Sequence, residues 1–221
     1  MMRDKRKSAE YFDEYIAYQK KRIDRKENKL QVSLDDKAKC ERINLSLITY
    51  KVNLVIAEYS AGYSLRIIRK TVDDALDTII EMEKPGFEPV LNLLAFQVAL
   101  DDHYRINELM NKHGEMISKD KLLNCFATFI KTQEFVWKGT FTVTGVFDQL
   151  DQVVGSRTPE EALNTYLESW YENHADAAWY ESDKNKNDVY VGYWSFESAA
   201  LARILNLNED ILSKNIYYPI F

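Results

Sequence analysis

Apolar residues recur at three- and four-residue intervals along most of this chain, and residues that force turns seldom interrupt them. Only 7 glycines and 4 prolines punctuate 221 residues. An all-β fold needs many more turn residues, so their scarcity points to long helices joined by few loops. The expectation is an all-α fold, a multi-helix bundle of about eight helices in two packed parts.

The first helix is expected from about Ser8 to Leu30, with Tyr11, Phe12, Tyr15, Ile16 and Ile23 at helical spacing among charges. Its Lys20-Lys21-Arg22, Arg25, Lys26 and Lys29 read as a solvated basic face, because no nucleic-acid-binding motif accompanies them. Ser33 is placed to cap a second helix through Ile43, Leu47, Tyr50, Leu54 and Tyr59. A third runs from about Tyr63 to Met82 and is stopped by Lys84-Pro85-Gly86. A fourth begins near Pro89 and continues to Lys112-His113-Gly114. The stretch Gly114 to Ser118 is the expected boundary between an N-terminal helical part, 1–114, and a C-terminal one, 115–221. Beyond it Ser118 is read as the cap of a helix through Leu122, Phe126 and Ile130, and Phe141 to Val154 as helix. Thr158-Pro159-Glu160-Glu161 is a strong start signal for a helix reaching about Tyr180. A polar loop, Glu181 to Asp188, follows.

The most fully punctuated stretch is Tyr190 to Ala202. Ser195 is expected to cap a helix there, Glu197 to sit favourably in its first turn, and Trp194 to fold over Ala199 as a hydrophobic staple. Ala199, Ala200 and Ala202 make a smooth face that admits a close neighbour.

Catalytic patterns are missing. His103, His113 and His174 are scattered, with no His-Glu-x-x-His, Gly-rich phosphate loop or nucleophile elbow. Asp101-Asp102-His103 comes nearest to a ligand cluster, yet neighbouring helix residues face different ways. His174 reads as a core histidine. No catalytic residue, metal site or cofactor is expected. Cys40 and Cys125 read as reduced thiols within helical patterns, in keeping with a cytoplasmic protein. The charged N-terminus shows no signal segment, and no run approaches the ~20 apolar residues of a membrane span.

Charge is distributed unevenly. Residues 1–70 hold 17 Lys and Arg against 10 Asp and Glu, whereas 71–221 hold 12 against 25. Helical spacing puts Glu161, Glu168, Glu172 and Asp176 on one face, opposite Leu163, Tyr166, Leu167 and Trp170. Asp73, Asp77 and Glu81 repeat every four residues in the third helix. Like charges at that spacing cost an isolated helix about 0.2–0.5 kcal/mol per pair, so folding alone gives no reason to stack them. They read either as solubilising faces or as a surface for a cationic partner. Trp179, Tyr180 and Tyr190 flank the loop that holds Glu181, Asp183 and Asp188, and complete the candidate contact set.

The run Tyr193-Trp194-Ser195-Phe196-Glu197-Ser198-Ala199-Ala200-Leu201, with Tyr217-Tyr218-Pro219 behind it, resembles the C-terminal signature of the PoNi-type immunity proteins. Met2-Arg3-Asp4 and Tyr11-Phe12-Asp13-Glu14-Tyr15-Ile16 are similar to the opening of that family's N-terminal helical domain. Related chains usually continue past Tyr-Tyr-Pro with an acidic residue, where this sequence runs to Phe221. The resemblance implies a bacterial immunity protein that binds a secreted PoNe-type DNase toxin and blocks it without catalysis, contacting neither nucleic acid nor membrane. A homodimer stays open. Two rivals share part of the pattern: a helical adaptor for another basic protein, and a metal-dependent hydrolase centred on Asp101, Asp102 and His103.

Overall fold

Helices are the regular elements of the computed structural model, which describes residues 2–221. Among the described residues ten α-helices and one short 3-10 helix occur, and no strand. In order they are α1 (Ala9–Gln31), α2 (Lys37–Ser60), α3 (Leu65–Glu81), α4 (Phe87–Leu100), α5 (Ile106–Lys119), α6 (Lys121–Thr132), α7 (Leu150–Gly155), α8 (Pro159–Asn173), α9 (Phe196–Ile204) and α10 (Glu209–Leu212). The 3-10 turn spans Ser182–Lys184. Two units divide the chain: Met1–Leu93 with Glu181–Gly192, and Leu94–Tyr180 with Tyr193–Phe221. The division falls inside α4.

In the first unit α2 packs against both α1 and α3. Being covered by two neighbours, it buries residues around much of its circumference, from Ile43 and Leu47 to Val55 and Tyr59. It also buries two charged side chains, Lys51 at 4% exposure and Glu58 at 0%. Lys51 Nζ meets the carboxylates of Glu27 on α1 and Asp74 on α3, each at 2.8 Å. Lys20 of α1 sits 3.0 Å from Glu58, and the Thr71 hydroxyl of α3 donates to the other Glu58 oxygen at 2.7 Å. Lys20 and Glu27 lie two turns apart on α1, as do Lys51 and Glu58 on α2, with the signs inverted. A slip of either helix by one turn would separate both pairs. The two layers therefore set the antiparallel register of α1 and α2, a use of buried charge that apolar packing cannot supply.

Several helix ends differ from the sequence expectation, each for a local reason. The Ser33 hydroxyl donates back to the Lys29 carbonyl at 2.7 Å, and Asp36 caps α2 by accepting the Lys39 amide at 2.9 Å. The fourth helix stops at Leu100, because Asp101 and Arg105 adopt left-handed backbone (φ 54 and 48) and the intervening loop is pinned by Gln97 Nε2 on the Tyr104 carbonyl. Gly114 and Ser118 then lie within α5, and buried Asp120 caps α6.

Asp120 also explains why Phe141 to Gln149 is irregular and not helical. One carboxylate oxygen accepts the Leu122 and Leu123 amides, and the other accepts the Thr142 amide at 2.7 Å and its hydroxyl at 2.9 Å. Lys121 N bonds the Thr140 carbonyl at 2.9 Å. Backbone groups that a helix would pair internally are engaged on α6 instead, and Gly139 and Gly145 have positive φ. Phe141 and Phe147 still reach the core.

At the Tyr193–Glu197 stretch, Ser195 holds the N-cap position of α9 without capping it through its side chain. Its hydroxyl donates instead to Glu197 Oε1 at 2.6 Å. The same oxygen accepts Tyr166 Oη at 2.8 Å and Trp170 Nε1 at 2.7 Å, both from α8. Glu197 is 6% exposed, so one carboxylate oxygen joins α8, the Ser195 turn and α9 inside the core. Trp194 is only half-buried and its loss costs less than that of a core ring.

Glu197→Leu strands three buried donors and is expected to cost about 3–5 kcal/mol in urea unfolding. Burial pushes the Tyr11 phenol up to about 12 and the Cys125 thiol up to about 12, and it raises Tyr15 and Tyr166 as well. Each of these groups is neutral when protonated, and the fold resists its ionisation. Their contribution is therefore whole below the unfolded thiol and phenol values and is lost as pH rises through the folded ones. The urea midpoint should decline between about pH 9 and 12, and Tyr11→Phe should make that decline shallower.

Candidate partner-binding surface

Pro159 starts α8 at its first turn, and Leu163, Tyr166, Leu167 and Trp170 turn inward from it. The opposite face carries exposed Glu161, Glu168 and Glu172. The helix ends at Asn173, so Asp176 is not on that face. It is exposed in the run of turns that leads to Tyr180. The helix stops because the His174 amide bonds back to the Tyr171 and Glu172 carbonyls, while its Nδ1 donates to the Trp170 carbonyl at 2.6 Å. His174 is half-buried at this helix end, packed at an angle among Trp170, Trp179 and Phe147, and not fully in the core as expected.

Among the described residues no lysine or arginine nitrogen pairs with Glu161, Glu168, Glu172 or Asp176. Two of them are steadied by neutral donors only. Asn164 Nδ2 reaches Glu168 at 2.8 Å, and Tyr180 Oη reaches Glu172 at 3.0 Å. The second unit holds 9 Lys and Arg against 16 Asp and Glu, a net of −7, whereas the first holds 20 against 19. The acidic surplus of the chain therefore sits in the unit that carries α8. On α3, Asp73 and Asp77 are half-buried and only Glu81 is exposed.

Trp179 and Tyr180 are half-buried in an aromatic cluster. Trp179 stacks on Trp170 at 5.3 Å between ring centres, and Tyr180 on Tyr171 at 4.5 Å. Tyr217 lies parallel to Tyr171 at 5.5 Å, and Tyr193 packs against Tyr171 at 5.0 Å. Tyr171 and Tyr217 were missed as candidates. Their signal, aromatic residues falling on the α8 surface and near the C-terminus, does not show in the sequence that they share one stack.

In the first unit Glu181 pairs with Lys184 at 2.6 Å, Asp183 is half-buried and Asp188 is exposed. Tyr190 is wholly buried there and serves the fold, not a contact surface. Its hydroxyl donates to buried Asp4, while its backbone N–H and C=O both engage Tyr11 Oη, at 2.9 and 3.0 Å. Ser60 Oγ adds a bond to the Val191 carbonyl at 2.6 Å. This clasp holds the returning strand of chain against α1 and α2.

Asp101 lies 4.0 Å from His103 Nε2, but Asp102 does not join them in one cluster. Asp101 faces Arg203 at 3.6 Å, buried Asp102 accepts the Tyr104 amide at 3.0 Å, and His103 Nδ1 donates to the Ile130 carbonyl. Among the described residues no group of three His, Cys, Asp or Glu side chains is arranged to hold a metal. No helix there is long and apolar enough to cross a membrane.

The chain belongs to the PoNe immunity protein (PoNi) family: the N-terminal family model matches residues 3–111 and the C-terminal one residues 118–220. It is thereby an immunity protein against a PoNe toxin. The fold is similar to the crystal structure of protein PA2201 from Pseudomonas aeruginosa, with a TM-score of 0.64, 16% identity, and coverage of 81% of this chain and 72% of that one. No curated protein matches the chain.

Tyr190→Phe removes one buried hydrogen bond to a carboxylate and should cost about 1.5–3 kcal/mol in urea unfolding. Toxin affinity measured on the folded variant should stay at the wild-type level.

Proposed function

We propose that this protein neutralises a DNase toxin by binding it non-covalently through the acidic face of α8 and covering the surface that grips DNA. The observation that carries the reading is the row of exposed carboxylates at Glu161, Glu168 and Glu172, with Asp176 beyond, none paired with a cation of the chain's own. A nuclease must present positive charge to its polyanionic substrate, and a rigid acidic helix competes for the same charge. Complementary fields also speed encounter, which matters when an inhibitor must act before DNA is cut. Exposed ion pairs add little affinity, so the aromatic cluster beside the stripe supplies the anchor. Glu181, Asp183 and Asp188 are further candidate contacts in their own unit. The chain needs no catalysis or cofactor for this work, and it meets its toxin in the cytoplasm, where the DNA lies.

Glu161→Lys together with Glu168→Lys should lower the association rate with the PoNe toxin by about tenfold or more at low salt and flatten its salt dependence. An unchanged rate at low salt would remove this face from the interface. Cells carrying the wild-type chain but still killed by that toxin would end the proposal.

A further inference from the structure

The C-terminal end of α8 has the opposite of the charge that a helix end attracts. Its last turn contains no basic residue, and Glu172 and Asp176 add negative charge beside carbonyls that are already the negative pole of the helix. His174 and the amides of Ala175 and Ala177 satisfy hydrogen bonds in the turn that follows. They leave the carboxylates of Glu172 and Asp176 without a paired lysine or arginine.

One aromatic residue adjoins the same carboxylate and others cluster with it. Tyr180 donates its hydroxyl to Glu172, and its ring lies on Tyr171, with interplanar angle 28°. Trp179 lies beside it at 6.4 Å from Tyr171, stacked on Trp170. All four outer rings, Tyr171, Trp179, Tyr180 and Tyr217, are half-buried and keep part of their surface in solvent. Glu172 thus holds one oxygen against Tyr180 and is itself exposed.

We infer that this end of α8 is an anchor for an arginine of a basic protein partner, the guanidinium lying against Tyr180 and Trp179 and pairing with Glu172. An ammonium would satisfy the charge alone. A guanidinium satisfies the charge, matches the planar rings and forks onto a carboxylate, and it is the more weakly hydrated of the two. Glu172 is exposed in the free chain, and a docked partner would cover the pair and make it worth more than an exposed one. The inference rests on the immunity reading for the identity of the partner, and it narrows that reading to one residue type at one place.

The test uses the whole protein and the purified PoNe toxin against which co-expression shows it to protect. Three variants are compared for affinity: Tyr180→Ala, Glu172→Gln and Tyr180→Phe. Tyr180→Ala should weaken binding by about tenfold or more, and Glu172→Gln by about tenfold. Tyr180→Phe keeps the ring and loses only the bond to Glu172, so it should weaken binding less than Tyr180→Ala. Replacing the toxin's surface arginines singly by lysine should find one whose effect is not additive with Glu172→Gln. Glu172 is exposed, so its amide variant tests the anchor even where Tyr180→Ala lowers the melting temperature. Wild-type affinity in Glu172→Gln and Tyr180→Ala, with the toxin still bound by the parent chain, would overturn the anchor and leave the immunity reading standing. A parent chain that does not bind the toxin would bring down both.

Discussion

One carboxylate oxygen accepts three hydrogen bonds at the centre of the second unit, and the course of the C-terminal chain depends on it. Glu197 is drawn out of water by Tyr166, Trp170 and Ser195, which supply in fixed positions the donors that solvent would otherwise give. Because two of those donors belong to α8 and one to the turn before α9, the contact fixes where α9 begins and which way α8 faces. Once the Tyr166 and Trp170 face is held inward, the Glu161, Glu168 and Glu172 face has only solvent or a partner to meet.

The first unit handles buried charge by another arrangement of the same physics. Lys51 lies between Glu27 and Asp74, and Glu58 between Lys20 and Thr71. An ion pair of this kind adds little net stability, since desolvation offsets much of the attraction, but a mismatched register would leave a buried charge with no partner. Specificity is the gain. Asp4 and Asp120 follow the rule as well, each wrapped by backbone and side-chain donors. The buried charges of Lys51, Glu58, Asp4, Asp120 and Glu197 each meet partners of this kind.

The helical class and the core faces were legible because they rest on spacing. Tyr15, Ile16 and Ile23, or Leu163, Leu167 and Trp170, fall inward whatever the partner helix turns out to be. Helix ends were less legible, because a cap is a competition between neighbours. Ser33 lost to Asp36 when its hydroxyl found Lys29, and Ser118 lost to Asp120, whose second oxygen serves a segment 22 residues away. Nothing local announces such a bond, and spacing alone did not show that the bonds of His174 to Trp170, Tyr171 and Glu172 stop α8 three residues short of Asp176. For the site, the acidic row was visible from spacing. Trp179 and Tyr180 were named beside it, but their cluster was not visible, because Tyr171, Tyr180, Tyr193 and Tyr217 meet only after the chain has turned back on itself. The burial of Tyr190 was hidden for the same reason, since Tyr11 and Asp4 lie 179 and 186 residues away.

The contrast between interior and surface is what gives the α8 face its meaning. Glu168 and Glu172 repel one another at four-residue spacing, at about 0.2–0.5 kcal/mol. Glu172 also opposes the helix dipole, at about 0.3–1 kcal/mol. Together these cost the free protein about 1 kcal/mol, small against the stability of a domain yet avoidable by a single lysine. Such lysines occur elsewhere: Lys119 lies four residues from Glu115 at 2.6 Å, and Lys184 three from Glu181 at the same distance. Solubility alone would be served as well by mixed charge. The α8 face is repulsive while the protein is alone, and a cationic partner would turn each of those unfavourable terms into attraction.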